Sequence, residues 1–311
     1  DDAVRPDIAP RGAGGALVNQ LTRFGARCRY EVVRTEATTG RHAVLARIPV
    51  RRPSYMHSFG ITRRRAILAH FPFTVDPLAI VLSGRPFIDN FAWRPGEGTR
   101  WHVVDRASGA VTTCRGAALF AFHHVNAFDD GDDVVCDLVA YDDASVIDAL
   151  RLARLRGATP VVPGGTLRRL RLVPPRRGAR EGTVHEEWRL PVPVEMPSID
   201  VARVNGRPYR VAYACAAPRP GALLDGIARL DVARGDVRTW HDDGCHAGEP
   251  VYVPRPGART EGDGVLLSVV LDARRARSML LVLDARTLGE LARAEAPHAI
   301  PAGFHGMHLA E

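Results

Sequence analysis

A recurring local pattern constrains this chain more than any other feature: a short apolar strand, an aspartate, a small turn, then a second apolar strand. WHVVDRASGAVTTC (residues 101–114), IARLDVARGDVRTW (227–240) and MLLVLDARTLGELARAE (279–295) share it. Alternate residues such as Leu230 and Val232 face one side, and the aspartate with its turn residues permits the chain to reverse, so each segment predicts a β-hairpin. Asn205-Gly206, between SIDVARV and RPYRVAYAC, and Asp263-Gly264, ahead of VLLSVVLDA, add two further tight-turn signals. The predicted class is all-β. The 29 Gly and 23 Pro spread along 311 residues suit many short strands, and 46% hydrophobic positions are ample for a large core. Loosely similar hairpins at irregular spacing predict radial repetition, a β-propeller with blades of roughly 40–50 residues, about six or seven from this length. A β-sandwich is the rival. The chain reads as a single propeller domain over residues 1–311, with no boundary in composition.

One segment departs from strand periodicity. DASVIDALRLARLRG (143–157) places Val146, Ile147, Leu150 and Ala153 on one helical face ahead of Gly157, which predicts a short helix inserted between blades. The subsequent LRRLRL stretch, set in Pro-, Gly- and Arg-rich sequence, reads as an exposed edge strand.

Charge narrows the function classes. The net charge is +7, but the sequence contains no lysine, so all 42 basic residues are arginine, dispersed among acidic ones. That is not the clustered, aromatic-interleaved footprint of a nucleic-acid binder. Cys28, Cys114, Cys136, Cys215 and Cys245 form no CxxC pair, which argues against a disulfide framework and a thiolate zinc site. A reducing cytoplasm is the expected compartment, and no apolar run is long enough to predict a membrane helix. The sequence opens DDAVRPD, without Met, as a processed or truncated chain does.

Twelve histidines are the candidate chemistry, in settings such as SYMHSFGIT, FAFHHVNAF and IPAGFHGMH. Each alone reads as an ordinary core or loop residue. His57, His123 and His305 are too far apart for a local metal motif of the HExxH kind. A propeller changes the weighting, because inner strands of different blades converge on one axis. Imidazole suits iron, copper, zinc or nickel, and ligating imidazoles need acceptors for their other ring nitrogen. Glu195 in PVPVEMPSID and Glu249 in HAGEPVYVPRPG fit that need, with an arginine-paired buried glutamate as the alternative.

In chain order, PSYMHSFGIT, FHHVNAF, VEMPSID, GEPVYVPRPG with DGVLLSVVLDA, and IPAGFHG resemble segments of the carotenoid cleavage oxygenases. This family also includes stilbene-cleaving enzymes and the retinoid isomerase of the visual cycle. The resemblance runs from about Arg29 to the C-terminus. It implies a seven-bladed β-propeller with Fe(II) on its axis, held by four histidines, three of them hydrogen-bonded to glutamates. Residue by residue it implies metal ligation by His57, His123 and His305, with Glu195 and Glu249 orienting ligand rings. The family pattern Phe-His-x-x-Asn selects His123 over His124, because Asn126 lies three positions later; strand pleating, which sends neighbours to opposite faces, agrees.

The family's first ligand lies in a Thr-Ala-His-Pro segment that this sequence lacks, and DDAVRPD resembles the residues just C-terminal to that segment. The expectation is therefore an N-terminally truncated propeller whose fourth ligand lies upstream of Asp1. The activity implied is Fe(II)-dependent addition of dioxygen across a double bond of a carotenoid or apocarotenoid, giving two carbonyl products. The partners are an apolar polyene and dioxygen, with peripheral membrane contact for substrate uptake. Phe122, Phe128 and Phe304 are candidate tunnel-lining residues. Stilbene cleavage, retinyl-ester isomerohydrolysis and a metal-free binding scaffold are the competing readings; the lysine of stilbene-cleaving relatives has no counterpart in this sequence.

Overall fold

The computed structural model describes residues 16–157, 162–217 and 224–308. The chain divides into two compact units, the first comprising residues up to Ala144 together with Arg168–Trp188, the second Ser145–Leu167 with Arg189 onward.

The first unit opens with β1 (Ala16–Arg23), β2 (Arg29–Glu36) and β3 (His42–Pro49), an antiparallel sheet in that order. Next come β4 (Gly60–Ile61), β5 (Arg65–His70), β6 (Phe73–Val75), helix α1 (Pro77–Leu82), β7 (Phe91–Trp93), β8 (Thr99–Asp105), β9 (Val111–Gly116), β10 (Phe120–Asp130) and β11 (Asp133–Tyr141). Strands β4, β5, β8 and β9 pair in the order β4-β5-β8-β9, and β6 pairs with β7. Beyond the short helices α2 (Ser145–Ala149) and α3 (Leu152–Leu155), β12 (Gly165–Val173) and the long β13 (Gly182–Ser198) continue from β11 in the order β10-β11-β12-β13. The core under β1 to β3 is Val18, Tyr30, Val32, Ala46, Ile48, Phe59, Ala66, Leu68 and Val104. Buried and half-buried positions alternate along β1, whereas Tyr30–Val33 of β2 and Ala66–His70 of β5 are buried on both faces.

In the second unit the latter part of β13 pairs with β14 (Val211–Ala216), which continues through β15 (Gly226–Asp231) to β16 (Asp236–His241); the short helix α4 (Val201–Val204) lies between β13 and β14. Strands β17 (Cys245–Ala247) and β18 (Val251–Pro254) both pair with β19 (Gly264–Asp272), and β20 (Arg277–Asp284) and β21 (Glu290–Glu295) extend the sheet from there. Tyr213, Ile227, Trp240, Leu266, Val270, Leu281 and Leu283 belong to its core.

The strand–Asp–turn–strand pattern forms hairpins β8–β9, β15–β16 and β20–β21, and a fourth of the same build joins β19 to β20. Each turn works in the same way. The aspartate carboxylate accepts backbone N–H groups two and three residues on: Ala107 and Ser108 at Asp105, Ala233 and Arg234 at Asp231, Arg274 and Arg275 at Asp272, Arg286 and Thr287 at Asp284. The residue four positions on is left-handed: Gly109 (φ 74°), Gly235 (φ 76°), Ala276 (φ 49°) and Leu288 (φ 60°). Glycine adopts this without penalty, whereas Ala276 and Leu288 carry about 1–2 kcal/mol of strain. At Gly109 a Cβ would also meet the Leu45 carbonyl oxygen at 2.2 Å.

Four local expectations are corrected. The helix expected over 143–157 is broken into α2 and α3, because Arg151 is extended (ψ 135°) and Leu150 and Leu152 are exposed. With Val146 the buried residue of α2, packing is too small to stabilise a continuous helix of this length. LRRLRL is not an edge strand: β12 lies between β11 and β13, with Leu167, Leu170 and Leu172 buried. Its arginines are neutralised by acidic neighbours. Arg169 donates to both oxygens of fully buried Asp137 (2.9 and 2.8 Å), its guanidinium lying against Phe128 and Trp188, and Arg171 bridges Asp130 and Glu187. Asn205-Gly206 turns out of α4 rather than joining two strands directly, and β18 and β19 are joined by a loop longer than a two-residue turn at Asp263-Gly264.

A buried polar cluster crosses the first unit. The Ser54 N–H donates to Tyr30 Oη at 2.7 Å, and the proton of this fully buried hydroxyl needs an acceptor, for which His70 Nδ1 stands 2.9 Å away. His70 therefore accepts at Nδ1 and, as a neutral ring, carries its proton on Nε2. His102, whose ring is 6.2 Å from that of His70, contacts Thr113 Oγ1. Burial, reinforced by the other histidine and by Arg100, pushes His70 down to about 3; burial and then Arg100 push His102 down to about 4.

Candidate metal centre

The segment between β3 and β4 carries His57 and is anchored before that residue. Besides the Ser54 contact with Tyr30, the Tyr55 N–H donates to the Phe73 carbonyl, and Ser54 bridges Thr74. The Tyr55 ring stacks against His57 at 6.4 Å and touches Phe73, Phe91, Phe120 and Phe122. His57 thus stands at the rim of an aromatic box.

His123 comes from β10, where the pairing with β11 shifts register on both sides of His124. A bulge adds an unpaired residue and re-aims neighbouring side chains, so simple alternation does not govern this stretch. The rings of His57 and His123 are 5.0 Å apart and nearly perpendicular, with one nitrogen of each within 4.8 Å of the other. Phe122 meets His57 edge-on at 5.7 Å. His124 is buried, with Nδ1 2.9 Å from Ser58 Oγ.

In the second unit His305 pairs with Glu249. One carboxylate oxygen is 3.0 Å from His305 Nδ1 and the other accepts the Gly306 N–H at 2.8 Å. With Nδ1–H donating to the carboxylate, Nε2 keeps its lone pair for a metal. Glu195 lies on β13 at a register shift, its carboxylate accepting the N–H of left-handed Met196 (φ 51°). Of the aromatic candidates, Phe122 borders the His57–His123 pair. Phe128 supports Arg169, and Phe304 and His308 are exposed.

Sequence reasoning missed Ser58, the aromatic box around Tyr55 and the Tyr30–His70–His102 cluster. Ser58 was visible only as the neighbour of His57, while Tyr30 and His70 are 40 residues apart and meet only through folding. The residues present suit a ferrous ion chemically: imidazole nitrogens, two of them beside the aromatic box and one, on exposed His305, with its second nitrogen held by a carboxylate.

The family described as Retinal pigment epithelial membrane protein matches residues 10–310. A mitochondrial carotenoid-cleaving dioxygenase of Macaca fascicularis is 30% identical, covering 98% of this chain and 63% of its own. Carotenoid cleavage dioxygenase 8 homolog A, chloroplastic, of Oryza sativa is 33% identical, covering 93% of this chain and 53% of its own. Among solved structures, a Synechocystis apocarotenoid oxygenase variant superposes with a TM-score of 0.83 at 26% identity, over 97% of this chain and 63% of that one. The all-β, propeller-type fold read from the hairpins is thus shared with a carotenoid oxygenase of solved structure. The chain belongs to the retinal pigment epithelial membrane protein family, that of the carotenoid cleavage oxygenases. It spans between about half and two thirds of the length of these relatives.

Proposed function

We propose that this chain forms part of a non-haem Fe(II)-dependent dioxygenase that cleaves a carbon–carbon double bond of a carotenoid or apocarotenoid into two carbonyl products. His57, His123 and His305 would hold the iron, with Glu249 orienting His305 and Glu195 orienting a further ligand ring. The observation that carries this reading is the close His57–His123 pair beside an aromatic box, in a chain whose relatives are named for carotenoid cleavage. Bound ferrous iron would supply dioxygen activation at these imidazoles. Tyr55, Phe91 and Phe122, backed by the fully buried Phe120, offer ring faces and edges to a flat polyene and keep water from the reacting bond.

The overall change balances without an outside reductant: the double bond breaks, and each carbon takes one oxygen atom of the same dioxygen. The test is turnover of an apocarotenoid by the natural-length, iron-loaded protein under labelled dioxygen. Label in both carbonyl products is expected. Incorporation into one product, or an anaerobically reconstituted protein that stays iron-free, overturns the reading.

A lipid surface is the proposed source of substrate. Among the described residues, none forms a helix long and apolar enough to cross a membrane. Helix α1, however, exposes Leu78, Val81 and Leu82, while nearby Phe87 packs edge-on against Phe24, both partly exposed, with Arg85 in the intervening loop. Apolar side chains beside a cation suit shallow insertion among anionic headgroups. Val81→Asp combined with Leu82→Asp is expected to weaken partition onto vesicles of phosphatidylcholine and phosphatidylserine at least about tenfold, the equivalent of ~1.4 kcal/mol. Unchanged co-sedimentation would remove this patch from consideration. A reducing compartment such as the cytoplasm fits the five cysteines, all unpaired and buried.

A further inference from the structure

Ser58 sits next to His57 in the chain and touches β10 on both sides of His123. Its Oγ is 2.7 Å from the Phe122 carbonyl oxygen, 2.8 Å from the His124 backbone nitrogen and 2.9 Å from His124 Nδ1. Both side chains are buried, Ser58 being 6% and His124 2% exposed. A hydroxyl has one proton and two lone pairs. The carbonyl can only accept, so it takes the Ser58 proton; the backbone N–H can only donate, so it fills one lone pair. The third contact must then be a donation from His124 Nδ1–H to the second lone pair. The hydroxyl is saturated, and the neutral His124 ring is assigned its Nδ1–H tautomer.

This contact lies where the ladder between β10 and β11 is interrupted, between Ala121 and His124. Backbone groups freed from a ladder by a bulge need other partners when buried. Ser58 partners one such group before His123 and one after it. It thereby ties the backbone that carries His57 to the bulge that carries His123.

We propose that Ser58 is the positioning residue that sets the separation of His57 and His123, and that it does so together with the Nδ1–H form of His124. The inference rests on the reading of His57 and His123 as metal ligands. It assigns Ser58 and His124 no contact with substrate or metal. Their effect is to fix two ligand backbones before the ion arrives, so that binding does not have to order them.

The test is anaerobic titration of the natural-length protein with Fe(II), and separately Co(II), against a competing chelator, with the visible spectrum of the Co(II) form as a report on ligand geometry. Ser58→Ala is expected to weaken affinity about 10- to 100-fold and to alter the Co(II) spectrum. Ser58→Thr, which restores the hydroxyl, is expected to stay within about threefold of the parent, under 1 kcal/mol. His124→Asn places an amide N–H where Nδ1–H stands and retains affinity, whereas His124→Leu loses it.

Parent affinity and spectrum in Ser58→Ala, in a protein from which His57→Ala removes the metal, overturn the positioning role and leave the ligand reading intact. A parent protein that binds neither ion overturns both. Should Ser58→Ala not fold, the other variants decide: weak binding by Ser58→Thr, or equal losses in His124→Asn and His124→Leu, overturn the proposal.

Discussion

Replacing His57, His123 or His305 by alanine is expected to strip iron from the protein and to lower double-bond cleavage at least about a thousandfold. A catalytic metal contributes several kcal/mol to its reaction, and about 4 kcal/mol is three powers of ten in rate. Metal analysis and product chromatography on the same preparations check this, with thermal unfolding of the metal-free forms to show that each variant is folded. Glu249→Gln should be milder. It keeps an acceptor for His305 Nδ1 and loses the charge, so iron affinity falls about 10- to 100-fold while saturating iron recovers turnover. A His123→Ala protein retaining stoichiometric iron and full turnover would remove His123 from the proposed ligand set.

Acid is expected to destabilise the protein steeply, through His70 and His102. Both are held neutral when folded, at about 3 and about 4, against an ordinary value of 6.5. Above that ordinary value neither folded nor unfolded chain is protonated, and the two rings contribute no pH dependence. As pH falls below it, the unfolded chain takes up protons that the folded chain refuses. Stability is therefore lost progressively from near pH 7 down to the folded values, at about 1 kcal/mol per pH unit for each ring and about 3–4 kcal/mol for both between pH 7 and 5.

The groups that set this environment are Tyr30 on β2, Arg100 on β8, and Glu181 just before β13. Glu181, drawn below its ordinary value first by its hydrogen bond with Arg115, is a smaller influence on His102 than Arg100 and opposes it. Urea unfolding midpoints at stepped pH values measure the effect. His70→Gln keeps an acceptor for the Tyr30 hydroxyl and cannot titrate, so about half of the slope should disappear. An unchanged slope would show that other groups govern the acid response.

The hairpin framework was legible in the sequence because its cause is local. An aspartate that accepts two backbone N–H groups, with a left-handed residue four positions on, specifies a reversal within five positions wherever it occurs, as at Asp105 and Asp231. Local pattern misleads where neighbours outside the window take over. The arginines of β12 suggest an edge strand, but Asp137, Asp130 and Glu187 stand opposite them and neutralise them inside the sheet. The segment 143–157 has helical periodicity but too little apolar surface to pack against.

The histidines divide in the same way. Individually each histidine reads as an ordinary residue; the resemblance to the carotenoid cleavage oxygenases is what marks His57, His123 and His305 as expected ligands, and Glu195 and Glu249 as residues expected to orient ligand rings. That His57 and His123 stand 5.0 Å apart, that Ser58 binds on both sides of His123, and that Glu249 reaches His305 are decided by tertiary structure. The local code sets which peptide groups pair across a turn of a few residues. Distances between side chains dozens of positions apart depend on strand register, bulges and packing summed over the intervening chain, and no short stretch of sequence contains that sum.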